Sequence, residues 1–274
     1  MKYLVFIAIL LSILLILALI ILLLMKPNKR RTNMEAFKKT YIAHRGYFNN
    51  VDVPENSYPA FEEAVKRGYG IELDVQLTTD NKLVIFHDDS LKRMCGVKKK
   101  LTSISYDELC SHKLLETQLS APLFKDVLDM VDGQVPLIIE IKPHGPFIKT
   151  SRELAKVLDN YQGTFCVESF NPAVIRWFRK NRPSVIRGIL ANDYLRIKKK
   201  TLTQKLLVSN LLFNSYCKPD FIAYNFEYSS KWALNICKKL FNCNMAAWTI
   251  RSSDQLKKAK EFFEVFIFDS FKPD

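Results

Sequence analysis

The run GIELDVQLTTDNKLVIFHDD, residues 70–89, decides how this chain folds. Its halves Ile71–Gln76 and Leu83–His87 are apolar and of strand length, and the TTDNK between them (Thr78–Lys82) is tight-turn sequence. A parallel crossover needs about a dozen residues, so one strand of this pair is a hairpin partner or a local irregularity. Working outward, further candidate strands fall at Tyr41–His44, Pro136–Lys142, Phe165–Ser169, Val185–Leu190, Phe221–Asn225, Met245–Ile250 and Val265–Asp269. Discounting one of the hairpin pair leaves eight, alternating with amphipathic segments. That is the pattern of an α/β protein, and its length suits a (β/α)8 TIM barrel with function at the C-terminal strand ends. An open doubly wound sheet is the alternative, but no Gly-rich loop follows the first strand.

Helix signals fill the gaps. Asn56 or Ser57 caps Tyr58–Lys66, which Gly68 ends, and Pro122 and Pro172 fit the first turns of Leu123–Val131 and Ala173–Lys180. Further helices are expected at Ser151–Leu158, Leu202–Tyr216, Lys231–Leu240 and Asp254–Phe263. Residues 89–121 break the alternation and read as a small inserted subdomain over the functional face. Basic triplets stand at Lys98–Lys100 and Lys198–Lys200; such runs are more often solvated surface than binding sites.

Glu72 and Asp74 stand two apart on one strand, so both point to the same face, and Glu140 and Lys142 repeat the spacing in the equally apolar LIIEIK. A single such pair is ordinarily a solvent-facing alternation. Two pairs in strands covered by helices have little water to face. Three converging carboxylates make an oxygen site for a hard divalent cation, Mg2+ or Ca2+. His44 and His87 end neighbouring apolar runs and suit acid–base work, and Arg45 and Lys142 are placed to neutralise an anion. The local logic is phosphoester cleavage.

Residues Tyr3–Met25 are apolar apart from Ser12 and the Tyr3 hydroxyl, about the length that crosses a bilayer core of roughly 30 Å. We read residues 1–32 as a single-pass anchor with a basic flank, residues 33–39 as a linker, and residues 40–274 as the catalytic domain. A cleaved signal is the competing reading; no small-residue cleavage site follows the run. Lys26, Lys29, Arg30 and Arg31 after the span, against Lys2 before it, predict a cytoplasmic catalytic domain at the cell membrane, an extracytoplasmic one being the alternative. Six cysteines without a C-x-x-C pair agree with a reducing compartment. The formal net charge is +13, of which +8 stays with the residues after Arg31, so an anionic partner is expected: phosphate, nucleic acid or a lipid surface.

The set HRG (44–46), PENS (54–57), ELDV (72–75), HD (87–88) and EIK (140–142) resembles the glycerophosphodiester phosphodiesterase family, with weaker matches at VESFNP (167–172) and AWT (247–249). The resemblance runs from about Tyr41 to the C-terminus and implies a TIM barrel with an inserted subdomain. It implies metal ligation by Glu72, Asp74 and Glu140, acid–base roles for His44 and His87, and phosphate contacts from Arg45 and Lys142. Glu55 and Asn56 would shape the site near the metal, and Trp248 would line the glycerol side. The family pairs Thr with Asp before a proline near its end; here the ending is FDSFKP (268–273), which leaves Asp269 without a role.

The activity so implied is metal-dependent hydrolysis of glycerophosphodiesters to glycerol 3-phosphate and an alcohol, with water or the substrate's own glycerol hydroxyl as nucleophile. A lysophospholipase D acting on membrane lysophospholipids keeps the chemistry and changes the substrate. A catalytically inactive membrane module that binds anionic headgroups is the alternative from another class, although both histidines and all three carboxylates are present. Nucleic-acid binding suits the charge but has no recognisable module. Nothing in the sequence fixes an oligomeric state.

Overall fold

The computed structural model describes residues 1–28, 33–194 and 201–273. Nine strands form one sheet: β1 (Ile42–His44), β2 (Gly70–Leu77), β3 (Leu83–Ile85), β4 (Leu137–Ile141), β5 (Phe165–Ser169), β6 (Ile186–Ala191), β7 (Phe221–Asn225), β8 (Asn244–Ile250) and β9 (Val265–Phe268). The order β1-β9-β8-β7-β6-β5-β4-β2 is parallel throughout and closes through β1–β2, with Ile42 opposite Gly70 and His44 opposite Glu72. The β3 strand lies outside this ring, antiparallel to β2 with Val75 opposite Ile85. The chain is thus a closed eight-stranded parallel barrel, with the TTDNK turn making the hairpin.

Twelve helices accompany the strands among the described residues: α1 (Lys2–Met25), α2 (Glu35–Lys38), α3 (Tyr58–Lys66), α4 (Lys92–Cys95), α5 (Tyr106–Ser111), α6 (Phe124–Val131), α7 (Phe147–Leu158), α8 (Pro172–Asn181), α9 (Leu202–Ser209), α10 (Asn214–Cys217), α11 (Trp232–Lys239) and α12 (Ser253–Ala259). Ser57 caps α3, accepting from Ala60 N–H, and Asn171 caps α8, accepting from Ala173 N–H at 2.9 Å. The helix expected over Leu202–Tyr216 is broken into α9 and α10, with Leu211 between them at φ +58. The triplet Lys198–Lys200 lies outside the described residues. Lys99 and Lys100 pair with Glu108 and Asp89 within the insertion.

Strand alternation sorts the apolar residues into two layers. Ile71, Leu73, Val75, Ile139, Val167 and Tyr224 face outward and pack on Phe61, Phe124, Leu154, Phe178 and Leu234 of the surrounding helices. Ile42, Ile138, Cys166, Phe221, Ala246, Val265 and Ile267 fill the barrel interior. A Cβ at Gly188 would stand 2.2 Å from the Phe221 ring, so only glycine lets that ring cross the interior. Residues 33–39, expected as a linker, instead carry α2, whose Met34 and Phe37 are buried in this interior cluster and close its floor. Residues 89–121 hold a small core of their own, Leu91, Met94, Leu101, Ile104, Leu109 and Leu114 against Val84 and Phe86.

Candidate active site

The interior parity of Ile138 and Cys166 carries on upward as Glu140 and Glu168, and the sheet register sets Asp74 beside Glu140 and Glu140 beside Glu168. Polar groups therefore replace apolar ones at the C-terminal end of the barrel. One ligand oxygen from each of Glu72, Asp74 and Glu140 lies within 4.8 Å of the other two, and all three residues are buried. Burial pushes the Glu72 carboxyl well above the usual range, and the charges of Asp74, Glu140 and Glu168 add to it. Burial likewise raises Glu140 against the pull of Lys142. Asp74 goes the other way: Lys142, His87, Arg45 and a hydrogen bond from Asn56 outweigh burial and hold it well below the ordinary carboxylate range. Crowded, dry, all-oxygen donors of this kind fit a hard divalent cation, whose charge would take the place of the protons that burial otherwise demands.

Both histidines are held through the same nitrogen. His44, at the end of β1, has Nδ1 2.9 Å from Asp269 Oδ2 and Nε2 3.9 Å from Glu72 Oε2. His87, just past β3, has Nδ1 2.6 Å from Asp88 Oδ1. An ionised carboxylate can only accept, so Nδ1 carries the proton in each pair and Nε2 is the nitrogen not engaged by the aspartate. Burial lowers the His44 pKa despite the hydrogen bond to Asp269, so its ring is neutral near pH 7. His87 sits close enough for its charge to act on Asp74 and Glu140.

The turn after β1 brings Arg45 back over the carboxylates. Arg45 (φ +57) and Gly46 (φ +81) are both left-handed. A Cβ at Gly46 would meet the Ala60 backbone at 2.8 Å, which is why glycine stands there. Arg45 N–H donates to Glu72 Oε2 at 3.1 Å, its Nη1 donates to Glu55 Oε1 at 2.6 Å, and its Nε lies 3.5 Å from Asp74. Asn56 Nδ2 donates to Asp74 Oδ2 at 2.7 Å. Lys142 Nζ lies 3.1 Å from Asp74 Oδ1 and 2.9 Å from Glu140 Oε1; burial works against its charge, but these two carboxylates keep it raised. Beside them opens a cavity of about 540 Å³ lined by His87, Lys142, His144, Phe170, Asn171 and Tyr194 among others. Trp248 stands edge-on to Phe170, ring centroids 5.6 Å apart.

All ten residues singled out in the sequence thus lie on elements meeting at this end of the barrel. Three more groups belong with them. Asp269, left without a role above, is the acceptor that holds His44, and it is itself met by Arg251 Nε at 3.0 Å. Arg93 of the insertion donates to both Glu55, at 2.6 Å, and Asp88, at 2.7 Å, tying the subdomain to the site. Glu168 is buried, and among the described residues neither carboxylate oxygen has a hydrogen-bond partner; burial and the charges of Glu140 and Asp74 push its pKa well up. Glu168 lacks the charged partner two residues away that picked out Glu140; its signal is strand parity with the interior Cys166.

A profile of the glycerophosphoryl diester phosphodiesterase family matches residues 44–262. The chain belongs to that family. It is 31% identical over 166 residues to a glycerophosphodiester phosphodiesterase of Bacillus altitudinis, covering 56% of this chain and 67% of the relative. It is 30% identical over 172 residues to another from Caldanaerobacter subterraneus, covering 56% and 67%. Among solved structures, an Oleispira antarctica phosphodiesterase in complex with the product sn-glycerol 3-phosphate superposes with a TM-score of 0.69 at 20% identity, covering 84% of this chain and 92% of that one. A glycerophosphodiester phosphodiesterase of Thermotoga maritima gives 0.65 at 20%, covering 84% and 95%. Family membership makes this chain a phosphodiesterase, a hydrolase of phosphoric diesters, on the same barrel.

Proposed function

We propose that this chain hydrolyses glycerophosphodiesters to glycerol 3-phosphate and an alcohol. The observation that carries the reading is the pair of histidines flanking three buried carboxylates, each with Nδ1 engaged by an aspartate and Nε2 left for chemistry. Glu72, Asp74 and Glu140 would hold Mg2+ or Ca2+, and such a cation supplies charge stabilisation to a phosphate oxygen when bound. Lys142 and Arg45 orient the phosphodiester and balance the charge that develops on it. Neutral His44 takes a proton from the attacking hydroxyl or water, with Asp269 steadying the imidazolium that forms. His87 gives a proton to the departing alcohol. Trp248 and Phe170 offer the apolar wall for the glycerol carbons, and Glu55 and Asn56 fix Arg45 and Asp74 in place.

We read α1, 24 residues long and apolar, as a single-pass anchor with the barrel on the cytoplasmic side; its length and composition and the basic residues that follow it support that reading. A second reading keeps the chemistry and takes lysophospholipids as substrates; a human lysophospholipase D is 31% identical over 138 residues, covering 44% of this chain and 42% of that protein. The test is to replace each histidine. His44→Ala and His87→Ala are each expected to cut turnover of glycerophosphocholine by about 10²- to 10⁴-fold while leaving the circular dichroism spectrum unchanged. Near-normal turnover in both variants would falsify the acid–base assignment.

A further inference from the structure

The segment joining α1 to the barrel is built in rather than tethered. Met25 is fully buried, and its carbonyl accepts from Asn214 Nδ2 at 3.0 Å. Lys218 Nζ donates to the Lys26 carbonyl at 3.0 Å. Asn28 donates through its backbone to Pro219 O at 2.9 Å and through Nδ2 to Asp220 Oδ1 at 2.6 Å. These partners mark one end of the barrel. Asp220 immediately precedes β7 and accepts the Arg187 N–H at the start of β6. Leu240 and Phe241, in the turn before β8, face Leu19, Leu22 and Leu23 across an apolar groove at the foot of α1. Beyond that foot, residues 2–18 are exposed along their whole length.

The helix thus leaves from the N-terminal ends of β6–β8, whereas the carboxylates and histidines stand at the C-terminal ends. Strands of five to seven residues put roughly 20 Å between the two. The end of the barrel around the foot carries basic residues: Lys218 meets Lys26, Arg179 donates to the Tyr216 carbonyl beside them, and Lys180, Lys238 and Lys239 lie in the last turns of α8 and α11, which lead into β6 and β8. Of the acidic residues there, Glu264 is engaged by Lys238 and buried Asp220 by Asn28 and Arg187, while Glu261 is exposed. A membrane-crossing helix with a fixed exit and a basic collar presents that collar to lipid headgroups, and anionic headgroups complement it.

We propose that the N-terminal face of the barrel around β6–β8 lies against an anionic bilayer surface, so that the catalytic mouth opens into water and takes water-borne glycerophosphodiesters in preference to lipids of the bilayer that holds α1. The substrate clause rests on the function proposed above, and the orientation rests only on the reading of α1 as a membrane anchor. A lysophospholipid of that bilayer would have to leave it and travel the height of the barrel to reach Lys142 and His87.

Hydrogen–deuterium exchange of the full chain in phosphatidylglycerol and phosphatidylcholine nanodiscs tests the orientation without reference to turnover. Segments 179–184, 216–220 and 239–244 are expected to exchange more slowly in the anionic discs, and the mouth segments 47–54 and 143–147 equally in both. Replacing the exposed Arg179, Lys180 and Lys239 together by Gln is expected to abolish the difference. Slower exchange at the mouth segments, or no difference anywhere, overturns the proposal. In the same anionic discs, turnover of dissolved glycerophosphocholine is expected to exceed that of a long-chain lysophosphatidylcholine held in the disc by more than tenfold. Faster turnover of the lipid overturns the substrate clause. No turnover of either, with the expected protection present, removes the function proposed above and the substrate clause with it, and leaves the orientation standing.

Discussion

At the scale of single residues, the site depends on carboxylates that do different work because their surroundings differ. Asp269 is kept ionised by its hydrogen bond to His44 in spite of burial, and that bond in turn raises the His44 pKa toward the ordinary histidine value. Asp269→Asn removes the raising influence and the tautomer control together. The acid limb of the rate–pH profile is therefore expected to move to lower pH while the plateau rate falls; an unmoved limb would detach Asp269 from His44. Glu168 presents the opposite case. Its folded pKa is raised, so its contribution to stability is full below the unfolded value near 4.5 and is lost as pH rises toward the folded one. Glu168→Gln is accordingly expected to raise the melting temperature of chelator-treated protein more at pH 8 than at pH 5. A variant that melts lower at pH 8 would show that the buried carboxylate has a partner it needs. Glu72, Asp74 and Glu140 were legible from spacing alone, since period-two alternation puts them on one face. The Asp269 pairing was not, because it joins residues 225 apart that meet only when the barrel closes.

At the scale of elements, the hairpin and the floor show what pattern does and does not reveal. The tight turn between β2 and β3 named its own geometry through its length, and the apolar runs named the remaining strands. Residues 33–39 read as linker because most of them are polar; the signal that they close the barrel is the spacing of Met34 and Phe37, three apart on one face of a single helical turn. So short a pattern carries weight only once the open floor of the barrel is seen. Phe37 is fully buried among Ile42, Phe221 and Ile267. Phe37→Ala is expected to cost about 3–5 kcal/mol in urea unfolding. A loss below about 1 kcal/mol, against that range for a buried phenylalanine, would mean that α2 does not seal the interior.

At the scale of the whole molecule, closure of the barrel gathers the ends of β1, β2, β4 and β9, together with the loop after β3, onto one rim, and that rim holds the candidate site. The insertion adds Arg93, which bridges Glu55 and Asp88 and so couples the subdomain to the Arg45 and His87 positions. Sequence pattern indicated that residues 89–121 stand apart, but not which of their side chains reaches inward, because that depends on how the small core around Met94 and Leu101 seats on β3. In the function proposed above, three buried carboxylates and two histidines at this rim form a metal-dependent phosphodiesterase centre. Its most direct test is hydrolysis of glycerophosphocholine by the purified full chain, first treated with EDTA and then supplied with Mg2+ or Ca2+, with glycerol 3-phosphate followed as product. Turnover is expected to be lost in EDTA and to recover with one or both cations. Undiminished turnover in EDTA, or none with either cation, would contradict that function.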